Sequence, residues 1–229
     1  MFINSADKIK KLLPKLVFNS KLYLYLLNKK VFFKYIEHCH YSMKKKIVIF
    51  ISGRGTNALN IISQFRDSKE ISVTNVYSNN KDSSFFKSNN DLKIKTSYFN
   101  NDQLSSCVFE ELKTIDPYLI VLAGFLRKIP DSYIAYFKNK IINIHPSILP
   151  SYGGKGMYGS KIHNQVIKNN ETETGITIHY VSNQYDSGEI IFQKKISIED
   201  NDTAKSIEEK IHILEYEYYP KVIQSLLIK

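Results

Sequence analysis

From Lys46 onward the apolar positions switch between two spacings. KIVIFIS (46–52) is an unbroken apolar run of strand length, and TNALNIISQFRD (56–67) follows with Leu59, Ile62 and Phe65 at helical intervals. ISVTNVYS (71–78) predicts a second strand, Asp82 to Asn90 a short helix or loop, and KIKTSYF (93–99) a third, weaker strand. NDQLSSCVFEELKTI (101–115) predicts one helix opened by an Asn or Asp cap. YLIVLAG (118–124) predicts a fully buried strand, Pro130 the start of another helical stretch, and KIINIH (140–145) a further strand. Strand and helix in turn imply crossover units and a mainly parallel sheet, the α/β class.

The rhythm changes after His145. A Gly-rich loop leads to a helix around 158–168, then TGITIHYVS (174–182) and GEIIFQKKISI (188–198) alternate as two strands joined by NQYDSG, a hairpin or lid loop. Asp202 or Thr203 is placed to cap a last helix whose apolar stripe is Ile207, Ile211, Leu214, Tyr218 and Val222. Residues 1–42 mix lysine with apolar residues, break at Pro14 and hold no long apolar run. They read as an appended or misassigned start ahead of Met43, against an accessory helix or targeting arm. The expected division is a lysine-rich extension, 1–42, and one domain, 43–229.

Charge changes the picture less than its sum suggests. The chain carries a formal +10, but residues 1–42 hold eight lysines against Asp7 and Glu37, leaving +4 for the remaining 187 residues. The globular part is mildly basic, which suits anionic small molecules, and no nucleic-acid partner is expected. The longest apolar runs, such as YLIVLAGFL, are too short to span a bilayer, so no membrane contact is expected. Cys39 and Cys107 are too few for a disulfide framework, which suits a reducing, cytoplasmic setting.

Three places carry candidate chemistry. In INIHP, Asn143 and His145 stand two apart and share one face of a strand, at the carboxyl end where open α/β sheets bind ligands. Either alone would be a polar residue closing a strand. Together they suit acyl-type chemistry, with Asn143 donating to a developing oxyanion and His145 donating and moving protons. Asp186 is the candidate that tunes the histidine, although Asp-Ser-Gly between strands equally makes an ordinary turn.

SGRGTNA (52–58) joins the first strand to the first helix and formally fits G-x-G-x-x-A. The acid that a dinucleotide fingerprint wants at the end of the second strand is late, at Asp82. A single phosphate on the amides of Gly55, Thr56 and Asn57 and the Thr56 hydroxyl fits better, beside the alternative of a turn with no ligand. No serine or cysteine stands in a nucleophile elbow, Cys107 reads as a small buried helix residue, and the histidines lack a metal-ligand pattern. Direct transfer between two bound substrates is the natural hypothesis.

IVIFISGRGTN, VLAGFLRKIP with NIHPSILPSYGG, and ETGITIHYVSNQYDSGEIIFQ, in this order and spacing, resemble the phosphoribosylglycinamide formyltransferase family over about residues 45–225. The resemblance implies the formyltransferase fold, a Rossmann-like, mostly parallel twisted sheet with flanking helices that is mixed in its C-terminal part. It implies 10-formyltetrahydrofolate as formyl donor, the glycinamide ribonucleotide amine as acceptor, no metal, and a monomer or homodimer acting in de novo purine synthesis. By resemblance Asn143, His145 and Asp186 are catalytic, and Gly55, Thr56 and Asn57 hold the phosphate. Glu215 binds the ribose hydroxyls, with His212 near the phosphate end. The folate lies against Leu126, Arg127, Ile129, Asn143 and the loop from Ser182 to Asp186, Tyr185 included. His179 is expected as support behind Asp186, and His163 is a residue of the glycine-rich segment that could reach substrate. Relatives acting on initiator tRNA carry a further C-terminal domain, and formyltetrahydrofolate hydrolases an N-terminal one. An inactive folate-binding or RNA-binding protein is the reading of another class.

Overall fold

The computed structural model describes residues 44–87 and 94–228, so the expectations for segment 1–42 lie outside the described residues. The elements run β1 (Lys45–Ile51), α1 (Thr56–Phe65), β2 (Ile71–Ser78), β3 (Lys95–Tyr98), α2 (Asn101–Ser105), α3 (Cys107–Ile115), β4 (Leu119–Leu122), α4 (Asp131–Tyr136), β5 (Ile141–His145), α5 (Ser160–Lys168), β6 (Glu173–Tyr180), β7 (Ile190–Ser197) and α6 (Ala204–Leu227). The sheet order is β3-β2-β1-β4-β5-β6-β7. The first five strands pair in parallel, as the alternation of strand and helix predicts, and β6 and β7 join antiparallel, which makes the sheet mixed at its C-terminal side as the resemblance implies.

Strand alternation divides the apolar residues between two cores. Ile47, Ile49 and Ile51 of β1 and Ile142 and Ile144 of β5 pack with α1, α5 and α6, while Val48 and Phe50 pack on the other face with α2, α3 and α4. Each such side chain, taken fully out of water, contributes about 1.5–3 kcal/mol. The order reverses between β1 and β4, so the loops after these two strands diverge and leave a crevice at their carboxyl ends. Ser52 N–H donates to the Gly124 carbonyl at 3.1 Å and fixes the width of that crevice.

The last helix closes one side. Thr203 and Ser206 form its capping box, and Tyr219, buried in its middle, donates to the carbonyls of Leu122 at 2.9 Å and Ile142 at 3.3 Å. Pro220 has no N–H for the Tyr216 carbonyl four residues back, and Asn60 Nδ2 from α1 donates to it instead at 2.9 Å. The helix therefore continues past its proline and is tied to α1. Among the described residues no helix is long and apolar enough to cross a membrane.

Three local expectations need correction. The helix expected over 101–115 breaks at Ser106 (φ −122°, ψ −99°), because the capping box of Asn100 and Gln103 starts a short helix whose last turn does not run into the next. Cys107 is exposed rather than buried: the break leaves Leu104, Val108 and Leu112 on the core side and turns the cysteine to solvent. On α6 Tyr218 is half-buried, and its neighbour Tyr219 takes the core position.

Candidate functional site

The site is built where β1, β4 and β5 end. Gly55 opens α1 with φ 74°, and a Cβ there would stand 2.8 Å from a Phe85 ring carbon, so the loop 53–55 needs glycine to turn and to pass Phe85. The free N–H groups at the start of α1 then point into a cavity of about 520 Å³. Gly55, Thr56 and Asn57 line it from one side, Asn143, His145 and Asp186 from another, and His212 and Glu215 from α6. A smaller cleft of about 60 Å³ adjoins it, walled by Leu122, Phe125, Arg127, Ile129, Val181 and the loop from Ser182 to Asp186. Asn143, Phe125, Tyr185 and Asp186 belong to both walls. Leu126 faces the larger space, Arg127 and Ile129 the smaller.

Pairing register explains the polar cluster. In the β5/β6 ladder Asn143 stands opposite His179 and His145 opposite Thr177. The β6/β7 pairing shifts by one residue between Ile178 and His179, while across the regular β5/β6 ladder His179 Nε2 lies 3.2 Å from Asn143 Nδ2. His179 Nδ1 donates to the Tyr180 carbonyl at 2.9 Å, so the bare Nε2 accepts from the asparagine. Burial lowers the His179 pKa, which keeps that lone pair available. One hydrogen of the Asn143 amide is thereby spent on His179, and the other is left to point at a ligand.

His145 Nε2 donates to the Tyr152 carbonyl at 2.8 Å, which turns Nδ1 toward Asp186, 3.6 Å from Oδ2. Nδ1 is therefore the nitrogen that can gain or give up a proton. Asp186 Oδ1 lies 3.7 Å from His179 Nε2, and Oδ2 accepts from Gly154 N–H at 2.9 Å. Both gaps are longer than a direct hydrogen bond and leave the carboxylate acting on the two rings through its charge. Asp186 adopts φ 52°, a backbone state that aspartate tolerates, and a Cβ on Gly188 would come 1.8 Å from the Tyr180 carbonyl. The Asp-Ser-Gly turn is thus both a tight turn and the carrier of the carboxylate.

At the other end Glu215 is buried and receives Asn57 Nδ2 at 2.9 Å and His212 Nδ1 at 3.0 Å. The bond to Glu215, opposed by partial burial, raises the His212 pKa above its ordinary value. On the cleft side Asn79, with its amide turned to satisfy its neighbours, donates to Ile51 O and Ser52 Oγ and accepts from Arg127 Nε at 3.2 Å, which fixes the guanidinium. The residues expected to bind substrate, folate or the reacting group, with His163 and His179, all line these two adjoining clefts. Sequence reasoning missed Tyr152, Gly154 and Asn79, which act through backbone groups or across the sheet. It also missed Glu208, which lines the cavity 3.6 Å from His212 Nε2, one helical turn before it on α6.

The orienting role of His179 has a measurable consequence. His179→Phe keeps an aromatic ring, though a larger one, and removes the acceptor, so turnover is expected to fall about tenfold, the scale of one lost hydrogen bond. Binding of either ligand should change little. A steady-state comparison checks it, and an unchanged turnover number would show that Asn143 is held by its strand alone.

Comparison with known proteins gives a consistent picture. The profile of the family described as "Formyl transferase" matches residues 45–223. "Phosphoribosylglycinamide formyltransferase" of Bacillus subtilis is 34% identical over 190 residues, covering 80% of this chain and 95% of the relative. The chloroplastic protein of the same name from Vigna unguiculata is 33% identical, with 80% of this chain and 61% of the relative covered. Among solved structures, phosphoribosylglycinamide formyltransferase from Bacillus halodurans superposes with a TM-score of 0.72 at 31% identity, over 81% of this chain and 96% of that one.

Proposed function

The chain belongs to the formyl transferase family, as a formyltransferase of purine biosynthesis, and from that premise we propose that it transfers the formyl group of 10-formyltetrahydrofolate to the amine of glycinamide ribonucleotide. The observation that carries this reading is the convergence of Asn143, His145 and Asp186 on the seam between two clefts, with Asn143 and Asp186 on the wall of both. A direct transfer needs that arrangement, since two substrates must meet at one set of donors.

The larger cavity suits the ribonucleotide. The start of α1 with the Thr56 hydroxyl offers donors to a phosphate, His212 adds a positive charge, and Glu215 accepts from ribose hydroxyls. The smaller cleft has the donor set for a folate: apolar walls at Leu122, Phe125, Ile129 and Val181 for a bicyclic ring, and Arg127 for a carboxylate. Bound there, 10-formyltetrahydrofolate supplies an amide-like formyl carbon, and the amine loses one proton while the folate nitrogen gains one as the bond between carbon and that nitrogen breaks. Asn143 donates its free amide hydrogen where negative charge develops on the formyl oxygen. His145, through Nδ1, donates to the same region and passes a proton toward the departing nitrogen. Asp186 receives the amine proton through water and orients the His145 imidazole. The reading includes a cytoplasmic setting and a monomer or homodimer. The exposed, unpaired Cys107 suits a reducing compartment.

The test is a formyl-transfer assay with glycinamide ribonucleotide, charged initiator tRNA and water as alternative acceptors. Transfer to the ribonucleotide is expected, and formate release without it, or transfer to tRNA alone, would overturn the assignment. Acceptor binding should also respond to pH. Because His212 is raised above its usual 6.5 by Glu215, it remains charged below that elevated pKa and loses its charge as pH rises through it. Affinity for the ribonucleotide is therefore expected to weaken on the alkaline side. The variant His212→Gln should bind less tightly at neutral pH and lose that part of the dependence, read by calorimetry across pH 6–9.

A further inference from the structure

Among the described residues, three side-chain atoms are buried without a hydrogen-bond partner, and two of them belong to residues lining the larger cavity: Asn57 Oδ1 and His163 Nδ1. Asn57 sits beside Glu215, in the ribose end already described. His163 is different. It lies near the start of α5, between Ile162 and Val166, which pack into the core, and is itself only 2% exposed. Among the described residues no group hydrogen-bonds the ring, and Nδ1 is fully buried without a partner. Leaving a buried polar atom without a partner is unfavourable, so native proteins keep few of them.

Its surroundings say what could satisfy it. His163 lines the same cavity as Glu208, His212 and Glu215 at the end assigned to the ribose and His145 at the end assigned to the reacting amine, and lies near enough to all four for their charges to act on it. Burial outweighs the two carboxylates and lowers its pKa, so at neutral pH the ring presents one N–H and one lone pair. In glycinamide ribonucleotide the group between the ribose and the amine is a secondary amide, which presents one N–H and one carbonyl. A buried neutral imidazole can donate to the carbonyl of that amide or accept from its N–H.

We propose that His163 is a substrate-contacting, specificity-determining residue that hydrogen-bonds the amide linking the ribosyl phosphate to the reacting amine. It selects acceptors carrying that amide and holds the amine in line with His145. The proposal rests on the acceptor assignment above.

Cutting the ligand tests it. Glycinamide ribonucleotide and ribose 5-phosphate, which lacks the amide, are titrated into the wild type, His163→Phe and His163→Gln, with melting temperatures measured alongside. The wild type should prefer the ribonucleotide. His163→Phe should lose about 10- to 100-fold in affinity for it and stay within about twofold for ribose 5-phosphate, with His163→Gln, which keeps a donor and an acceptor, in between. Equal losses for both ligands in either variant would show that His163 only props up Glu215 and His212, and would overturn the proposal. Should His163→Phe fail to fold, the same ratio in His163→Gln decides. A wild type that binds the two ligands equally would instead remove the acceptor assignment itself, a result visible without any variant.

Discussion

Asn143→Ala is expected to slow formyl transfer by about 10²- to 10³-fold, the usual loss when one oxyanion donor is removed from a preorganised site. The size follows from how the amide is held. His179 takes one of its hydrogens at 3.2 Å and is itself fixed by the Tyr180 carbonyl, so the remaining hydrogen needs no reorganisation when charge develops on the substrate oxygen. That interaction strengthens only as the reaction proceeds, so the loss belongs in kcat and leaves the Michaelis constants of both substrates nearly unchanged. Glu215→Ala should show the opposite split, raising the ribonucleotide Michaelis constant and sparing kcat, because Glu215 stands at the far end of the cavity beside Asn57 and His212. Steady-state kinetics with a melting curve for each variant separates the cases. A kcat for Asn143→Ala within about tenfold of wild type would remove the asparagine from the oxyanion role.

Much of this arrangement was legible from spacing alone. Period two placed Asn143 and His145 on one strand face, and alternation of strand and helix placed that strand in a parallel sheet, whose carboxyl edge is where ligands bind. The antiparallel pair at the end followed from the change of rhythm after His145, where two alternating strands are joined by the short NQYDSG loop. What was not legible depends on contacts distant in sequence. A break at Ser106 comes from cap geometry, which the apolar pattern does not encode, and Cys107 just beyond it faces solvent. Tyr218 and Tyr219 are equally apolar in the sequence, and only the carbonyls of Leu122 and Ile142 select the second for burial. His179 reaches Asn143 because the two stand opposite each other in the β5/β6 ladder, a cross-strand register that period-two counting within one strand does not give. Tyr152 and Gly154 bind His145 and Asp186 through their backbone, so their side-chain identities carry no signal.

Asp186→Asn is expected to cost about 10²-fold or more in turnover, within the range for removing a general acid–base group, while leaving the loop in place. The substitution is close to isosteric. Asparagine tolerates the positive φ of 52° as aspartate does, and its side-chain oxygen can still accept from Gly154 N–H, so the tie between the lid loop and the glycine-rich segment survives. What disappears is the negative charge 3.6 Å from His145 Nδ1 and 3.7 Å from His179 Nε2, and with it the group that receives a proton through water from the attacking amine. Asp186→Ala removes the tie as well and should add a loss of folate affinity, because the loop from Ser182 to Asp186 walls the smaller cleft. Comparing the two variants therefore separates the charge from the scaffold: turnover reports the first and folate binding the second. If Asp186→Asn retained turnover within about fivefold of wild type while Asp186→Ala lost folate binding, the carboxylate would be a structural clamp for its loop, and His145 would carry the proton transfers without it.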